Sequence, residues 1–302
     1  KCFYEEIRIH PSILLSPQML LRLIKFVGDA ELTQSWAKSW IENKGIDIAN
    51  SLFYSFWLTQ TAFGLGLLKR NYPEIKVVSR AHGYDVFENR YTPAYIPCRF
   101  QTLKLINKIF LASADAHNYL RKRHPFFSEK YRTARLGVEP TNFISKASTD
   151  KILRIISCSS IISLKRVELL AKAISHASQM RPKQKFEWVH FGEGPNRKKV
   201  QKIIKKFSPS IETKLYGFTP NTQILAHYKK HPVDIFVNLS TTEGTPVSIM
   251  EAISCGIPII ATKVGGNPEI VSEKNGILLS ENPSEKEIVT AFFKIIDSPG
   301  LT

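Results

Sequence analysis

Glu243 and Glu251 stand eight positions apart in TTEGTPVSIMEAISCGIPIIATKVGGNPEIV (residues 241–271), and they are the residues best spaced to do chemistry. Seven uncharged residues separate them, and no further charge follows until Lys263. Pro246 suits the first turn of a helix, where its missing N–H costs nothing. Val247, Ile249, Met250, Ala252 and Ile253 make that helix apolar on nearly every side, as in a helix buried within a domain. A carboxylate there is costly unless something hydrogen-bonds to it. No lysine or arginine lies near Glu251 in sequence, so a ligand rich in hydroxyl groups would serve. Glu243 precedes the helix start, where the N–H groups of Thr245, Val247 and Ser248 and the positive end of the helix dipole favour an anion. A phosphate bound there, with Glu243 accepting from sugar hydroxyls and Glu251 from ribose hydroxyls, uses every polar group in the segment. The plainer alternative makes Glu243 a solvated turn residue and gives Glu251 a backbone amide; it leaves the arrangement as a whole unexplained.

The elements that hold such a site follow from a regular alternation. From about Asp47 onward, short β-rich runs alternate with helix-length segments. Strands are expected at 47–51, 76–80, 108–112 and 131–136, then at 153–159, 186–191, 213–216, 235–239, 257–261 and 276–279. Helices are expected at 57–69, 114–123, 167–179, 195–207, 222–230, 246–254, 268–272 and 284–297. This order means parallel sheets covered on both faces. The polar segment 137–150 reads as a linker, giving domains at 1–140 and 151–302 with 141–150 between them. Ligands of open α/β sheets bind at the carboxyl ends of strands, and Glu243 lies just past such an end. The first half holds only about four strands, so its opening strand and helix are expected to be missing.

A chain of 302 residues accommodates two ordinary domains. With 43% hydrophobic and 23% charged residues it reads as soluble and globular rather than disordered. Cys2, Cys98, Cys158 and Cys255 are far apart with no C-x-x-C pair, which excludes a recognisable zinc site or disulfide framework. Cys158 and Cys255 read as buried thiols of a reducing cytoplasm. The net charge of +16 is shared evenly, each half carrying 21 basic and 13 acidic residues. That argues against a nucleic-acid face. It fits phosphate-bearing ligands and a peripheral attraction to anionic membrane, and it fits a generally basic proteome equally well. Residues 48–68 are uncharged and long enough to span a bilayer. Their Asn50, Ser51, Ser55, Thr59, Gln60 and Thr61 and two glycines instead favour a buried strand and helix. The first residue is Lys1 and no signal-peptide pattern follows, so both ends read as cuts in a longer protein.

The 241–271 segment resembles the E-x7-E signature of retaining glycosyltransferases, in the family 4 form. The matching stretches are Glu243-Gly244-Thr245-Pro246, Glu251-Ala252, Cys255-Gly256-Ile257-Pro258 and Gly265-Gly266-Asn267-Pro268-Glu269. The resemblance extends over nearly all of the chain. IISCSSIISLKRVELLAKAI (155–174) is similar to the strand–loop–helix in which the family grips a diphosphate with a basic pair. Lys165 takes the lysine position, but Ser160 stands where an arginine is usual; Arg166 either substitutes or faces solvent. FGEGP (191–195), with Gly192, resembles the family's G-x-G turn, a weak pattern alone. YGF (216–218), with Gly217 and Phe218, matches a loop lining the base pocket through backbone groups. SRAHGYDVFENR (79–90) follows a strand and offers His82 as the family's histidine facing the donor sugar; Asp85 either orients that loop or touches the acceptor. RLGVEP (135–140) reads as structural, and the lysines of 196–207 as the solvated face of an amphipathic helix.

The resemblance implies a GT-B architecture: two Rossmann-like domains whose parallel sheets face each other across a cleft holding the active site. It implies transfer of a sugar from a nucleotide-diphosphate donor to a hydroxyl of a glycan or lipid-linked acceptor, with retention and by front-face displacement, at the cytoplasmic side. Glu243 would position the donor sugar, Glu251 the ribose, and His82 the sugar from the first domain. The leaving diphosphate would be held by Lys165, Arg166 and the helix start at 244–248. No D-x-D triplet occurs, and no metal or other cofactor is expected. A nucleotide-sugar epimerase or a non-catalytic homologue that partners an active enzyme are the alternatives, the second kept open by Ser160.

Overall fold

The computed structural model describes residues 2–297. The chain divides into two compact units, one ending at Arg135 and one starting at Leu136. The first unit contains α1 (Cys2–Ile9), α2 (Pro17–Lys44), β1 (Leu52–Ser55), α3 (Gln60–Leu67), β2 (Lys76–Ala81), α4 (Arg99–Leu105), β3 (Lys108–Leu111), α5 (Ala114–Arg123) and β4 (Tyr131–Thr133). Its four strands form one parallel sheet in the order β1-β2-β3-β4. The second unit contains β5 (Ile152–Cys158), α6 (Val167–Met180), β6 (Lys185–Phe191), α7 (Arg197–Ile204), β7 (Ile211–Gly217), α8 (Asn221–Lys230), β8 (Ile235–Asn238), α9 (Val247–Ser254), β9 (Ile259–Thr262), α10 (Asn267–Ile270), β10 (Gly276–Leu279) and α11 (Glu285–Ile296).

The second sheet is parallel throughout, in the order β10-β9-β8-β5-β6-β7. Adjacent residues of one strand feed opposite cores. Ile155, Trp188 and Ile260 pack with Val167, Leu170, Ile174 and Phe292 of α6 and α11. Ile156, Val189 and Ile259 pack with Ile224, Tyr228 and Ile249 of α8 and α9. Covering both faces is why these strands read as continuous apolar runs rather than alternating ones. The chain runs outward from β5 through β6 and β7, then returns beside β5 as β8 and runs the other way. The order therefore reverses between β5 and β8, where an open α/β sheet leaves a crevice at its carboxyl edge.

Two expectations are corrected in the first unit. The strand expected at 47–51 is instead β1, because Asp47 folds its own neighbourhood into a turn. Its Oδ1 accepts from the N–H of Ala49 (3.1 Å) and Asn50 (3.4 Å), and Ser51 Oγ donates to its carbonyl. The uncharged run 48–68 resolves into that turn, β1 and α3, and among the described residues no helix is long and apolar enough to cross a membrane. The second correction is α2, 28 residues long, where no element is expected. Ser16 accepts from Met19 N–H at its start, Pro17 occupies its first turn, and Gly45 closes it at φ 58°.

Segment 141–150 is bonded onto the second unit. Thr141 Oγ1 donates to the Ser254 carbonyl (2.7 Å), Ser145 N–H to the Cys255 carbonyl (2.8 Å), and Ser148 donates twice to Asp234 (2.7 Å each).

Candidate functional site

Two loops meet over the reversal between β5 and β8: 159–166, leaving β5, and 239–246, leaving β8. Lys165 Nζ lies 2.6 Å from Glu243 Oε1. The same oxygen accepts from Ser240 Oγ (2.6 Å) and Asn238 Nδ2 (3.1 Å). Glu243 is buried, at 8% exposure, so it is not a solvated turn residue. Three donors explain how a carboxylate is tolerated there. All three go to Oε1, and none of them occupies Oε2.

The loop is fixed from beneath by glycine. Gly265 has φ 51°, and a Cβ on it would lie 2.0 Å from the Glu243 carbonyl oxygen. Gly266 N–H donates to the Gly244 carbonyl (2.9 Å), and Thr241 N–H to the Leu164 carbonyl (2.8 Å), tying the two loops together.

The helix that follows begins at Val247, with Pro246 as its extended cap residue and not in its first turn. Val247 and Ser248 supply its first two N–H groups, and Gly244 and Thr245 line the approach to it. Glu251 does have a protein partner, since Asn221 Nδ2, at the start of α8, donates to its Oε1 (2.7 Å). Burial raises its carboxyl above the ordinary value, and the Asn221 bond works against that. Of the expected basic pair only Lys165 faces Glu243. Arg166 sits at φ 50° and donates from Nη1 to the Glu281 carbonyl (2.8 Å) and from Nη2 to Asn282. Ser160 is exposed on the same loop.

The G-x-G turn has a definite task. A Cβ on Gly192 would lie 1.9 Å from the Ser159 carbonyl oxygen, and one on Gly194 2.4 Å from that of Ile161. The bonds Ser159 N–H to Phe191 C=O (3.0 Å) and Ile161 N–H to Glu193 C=O (2.9 Å) lay the Lys165 loop directly on this turn. A buried chain braces the same loop: Trp188 Nε1 donates to Ser157 Oγ (3.0 Å), which lies 2.8 Å from His190 Nδ1, and His190 Nε2 is 3.1 Å from the Ser159 carbonyl. Burial pushes the His190 imidazole down to about 4. Gly217, at φ 76°, receives the Gly192 N–H on its carbonyl (2.8 Å), and Phe218 beside it is 88% exposed.

In the first unit His82 follows β2, with its ring packed on Trp57 (centroids 4.2 Å apart) and Phe56 (4.8 Å). Its ring nitrogens have no hydrogen-bond partner among the described residues, and Nδ1 stands 3.9 Å from Asp85 Oδ2. Asp85 is buried and holds its own loop. Its oxygens accept from the N–H groups of Leu58 (3.0 Å), His82 (2.8 Å) and Gly83 (3.0 Å), and Arg99 donates to its carbonyl. Arg99, from the unexpected α4, is the residue that sequence reasoning missed here.

Burial works to raise the Asp85 carboxyl, but the His82 ring, the Leu58 and His82 amides and the Arg99 charge outweigh it and hold it below the ordinary aspartate range. A depressed carboxylate stabilises the fold above its unfolded value and loses that contribution as pH falls through the folded one. Asp85→Asn is therefore expected to be less stable at neutral pH and to show a flatter decline below about pH 4, measured as urea midpoints against pH.

This site and sheet order define a GT-B glycosyltransferase fold. A family model for "Glycosyl transferases group 1" matches residues 139–301, more than half of the chain, and the chain belongs to that family. It is 28% identical over 220 residues to a putative colanic acid biosynthesis glycosyltransferase, WcaL, of Escherichia coli K12, covering 68% of this chain and 52% of the relative. It is 28% identical over 167 residues to the amylovoran biosynthesis glycosyltransferase AmsK of Erwinia amylovora, covering 52% of this chain and 40% of the relative. The chain thus spans about half the length, or less, of these curated relatives. The lipopolysaccharide outer core galactosyltransferase WaaB superposes with a TM-score of 0.69 at 14% identity, over 89% of this chain and 71% of that one. The pneumococcal O-GlcNAc transferase GtfA, solved with UDP and GlcNAc, gives 0.62 at 19%, over 87% and 52%.

Proposed function

We propose that this chain carries the donor-binding machinery of a retaining glycosyltransferase that moves a sugar from a nucleotide-diphosphate sugar to an acceptor hydroxyl in polysaccharide or lipid-linked glycan synthesis. The observation that carries the reading is the Lys165–Glu243 pair at the strand-order reversal, beside the first N–H groups of α9. A cation and free amides next to a carboxylate suit a sugar diphosphate: the amides and Lys165 take the phosphates, Oε2 of Glu243 takes sugar hydroxyls. The names of the relatives support the same class, colanic acid and amylovoran biosynthesis enzymes among them. Glu251 holds the ribose in this reading, trading or sharing its Asn221 bond, and the resemblance assigns His82 to the donor sugar.

Glu251→Ala is expected to weaken nucleotide-diphosphate binding about tenfold, the loss of one charge-assisted hydrogen-bond pair, whether or not a sugar is attached. Calorimetry with UDP, GDP and ADP checks it. Thermal shift with the corresponding sugars identifies the donor; no shift with any of them sinks the proposal. A second reading, binding without turnover, is favoured by Ser160 and by the engagement of Arg166 with residues 281 and 282. Free nucleotide released only when acceptor is present decides between the two.

A further inference from the structure

We propose that Trp57 and Tyr84 form an acceptor subsite that stacks a pyranose ring, so that the acceptor presents a sugar and not a lipid or peptide hydroxyl to this enzyme. The inference rests on the transfer reading above. Phe56 and Trp57 follow β1, and His82 and Tyr84 follow β2, so four rings gather at the carboxyl ends of adjacent parallel strands, where ligands of open sheets bind. Trp57 and Tyr84 lie 5.0 Å apart between centroids, and Trp57 and His82 4.2 Å. Three of the rings remain open to solvent, at 50% for Phe56, 37% for Trp57 and 44% for Tyr84.

The cluster is held, not loose. Ser55 Oγ donates to the Trp57 carbonyl (2.6 Å), and the next residue, Leu58, is fixed through its N–H to Asp85. Asp85 also fixes the main chain of His82 and Gly83. One buried carboxylate thus sets the spacing between the two halves of the shelf.

The chemistry of the cluster selects the occupant. An aromatic face is electron-rich and attracts the polarised C–H groups of a sugar's apolar face. The polar group at its margin, the hydroxyl of the half-open Tyr84, suits the hydroxyls around a sugar's edge. An acyl chain would leave that group unpaired, and a peptide backbone has no broad apolar face to lay on the rings.

Saturation-transfer NMR on the full chain, with methyl glycosides of glucose, galactose, mannose and N-acetylglucosamine as probes and UDP as reference, tests this. Wild type is expected to transfer saturation to ring C–H protons of at least one glycoside. Trp57→Ala and Tyr84→Ala are expected to bind it about tenfold more weakly, Trp57→Phe to retain most of it, and all to bind UDP as wild type does. The indole N–H resonance of Trp57 in wild type is expected to move on titration, a readout that needs no variant. UDP binding without any glycoside signal, or a glycoside signal indifferent to Trp57 and Tyr84, overturns the subsite while leaving the donor reading intact. Failure to bind any nucleotide sinks the donor reading, and the glycoside signal then decides the shelf by itself.

Discussion

Glu243→Ala is expected to lower turnover by about a hundredfold or more while nucleotide-diphosphate affinity holds or rises. The rate effect is of the size seen when one preorganised polar contact to a reacting group is removed. The affinity effect follows from the ion pair: Lys165 Nζ is 2.6 Å from Glu243 Oε1, so in the free protein its charge is already answered. Without the carboxylate, Lys165 answers only to the diphosphate. The substitution also strands Ser240 Oγ, which loses its acceptor in a buried setting and costs about 1–3 kcal/mol. Turnover must therefore be normalised to the folded fraction. Glu243→Gln keeps the shape and an acceptor oxygen, and is expected to recover stability but not rate. Equal losses of nucleotide affinity in Glu243→Ala and Glu251→Ala would show the division of roles to be wrong.

Gly265→Ala is expected to be among the most damaging small substitutions in the second unit, at about 2–4 kcal/mol. Its φ of 51° is strained for any side chain, and the new Cβ meets the Glu243 carbonyl at 2.0 Å. That neighbour is backbone, so no rotamer change relieves the clash; the loop must move. Donor binding is expected to fall with stability, because the displaced residue is Glu243 itself. Gly28→Ala is the control of opposite sign. Gly28 is exposed inside α2 with nothing within 4 Å of an added Cβ, and there alanine is expected to stabilise by about 0.5–1 kcal/mol. Chemical denaturation of both variants measures the contrast, and a Gly265→Ala protein of wild-type stability would remove the loop's claim to be held from beneath.

What was legible in the sequence divides along the same lines as the physics. In the second unit the inner strands are sandwiched, so apolar runs broken by glycine and proline mark most elements to within a few residues. The spacing of Glu243, Glu251 and the glycines marks the loops. The first unit yields less. Helix α2 is apolar on two sides, burying Met19, Leu23, Ala30, Ala37 and Ile41 while exposing Leu21, Ile24, Leu32, Trp36 and Trp40. A helix of that kind has no single stripe for periodicity to find. Its capping signals, Ser16, Pro17 and Gly45, were the readable part. The distant partners were not legible from spacing: Lys165 reached the site only through the family resemblance and Asn221 not at all, being 78 and 30 positions from Glu243 and Glu251 and brought in by the sheet order.

The buried chain from Trp188 through Ser157 and His190 to the Ser159 carbonyl has a direction. With the carbonyl accepting from Nε2, Nδ1 must accept from Ser157, whose oxygen takes the indole N–H; the imidazole has no room for a second proton without breaking a link. Its folded value near 4 lies below the ordinary 6.5, so the unfolded chain takes up protons first, and stability drains away as pH falls between those two values. Acid therefore loosens the brace beneath the Lys165 loop by degrees, so that the loop is best supported at neutral pH and progressively less so toward pH 4.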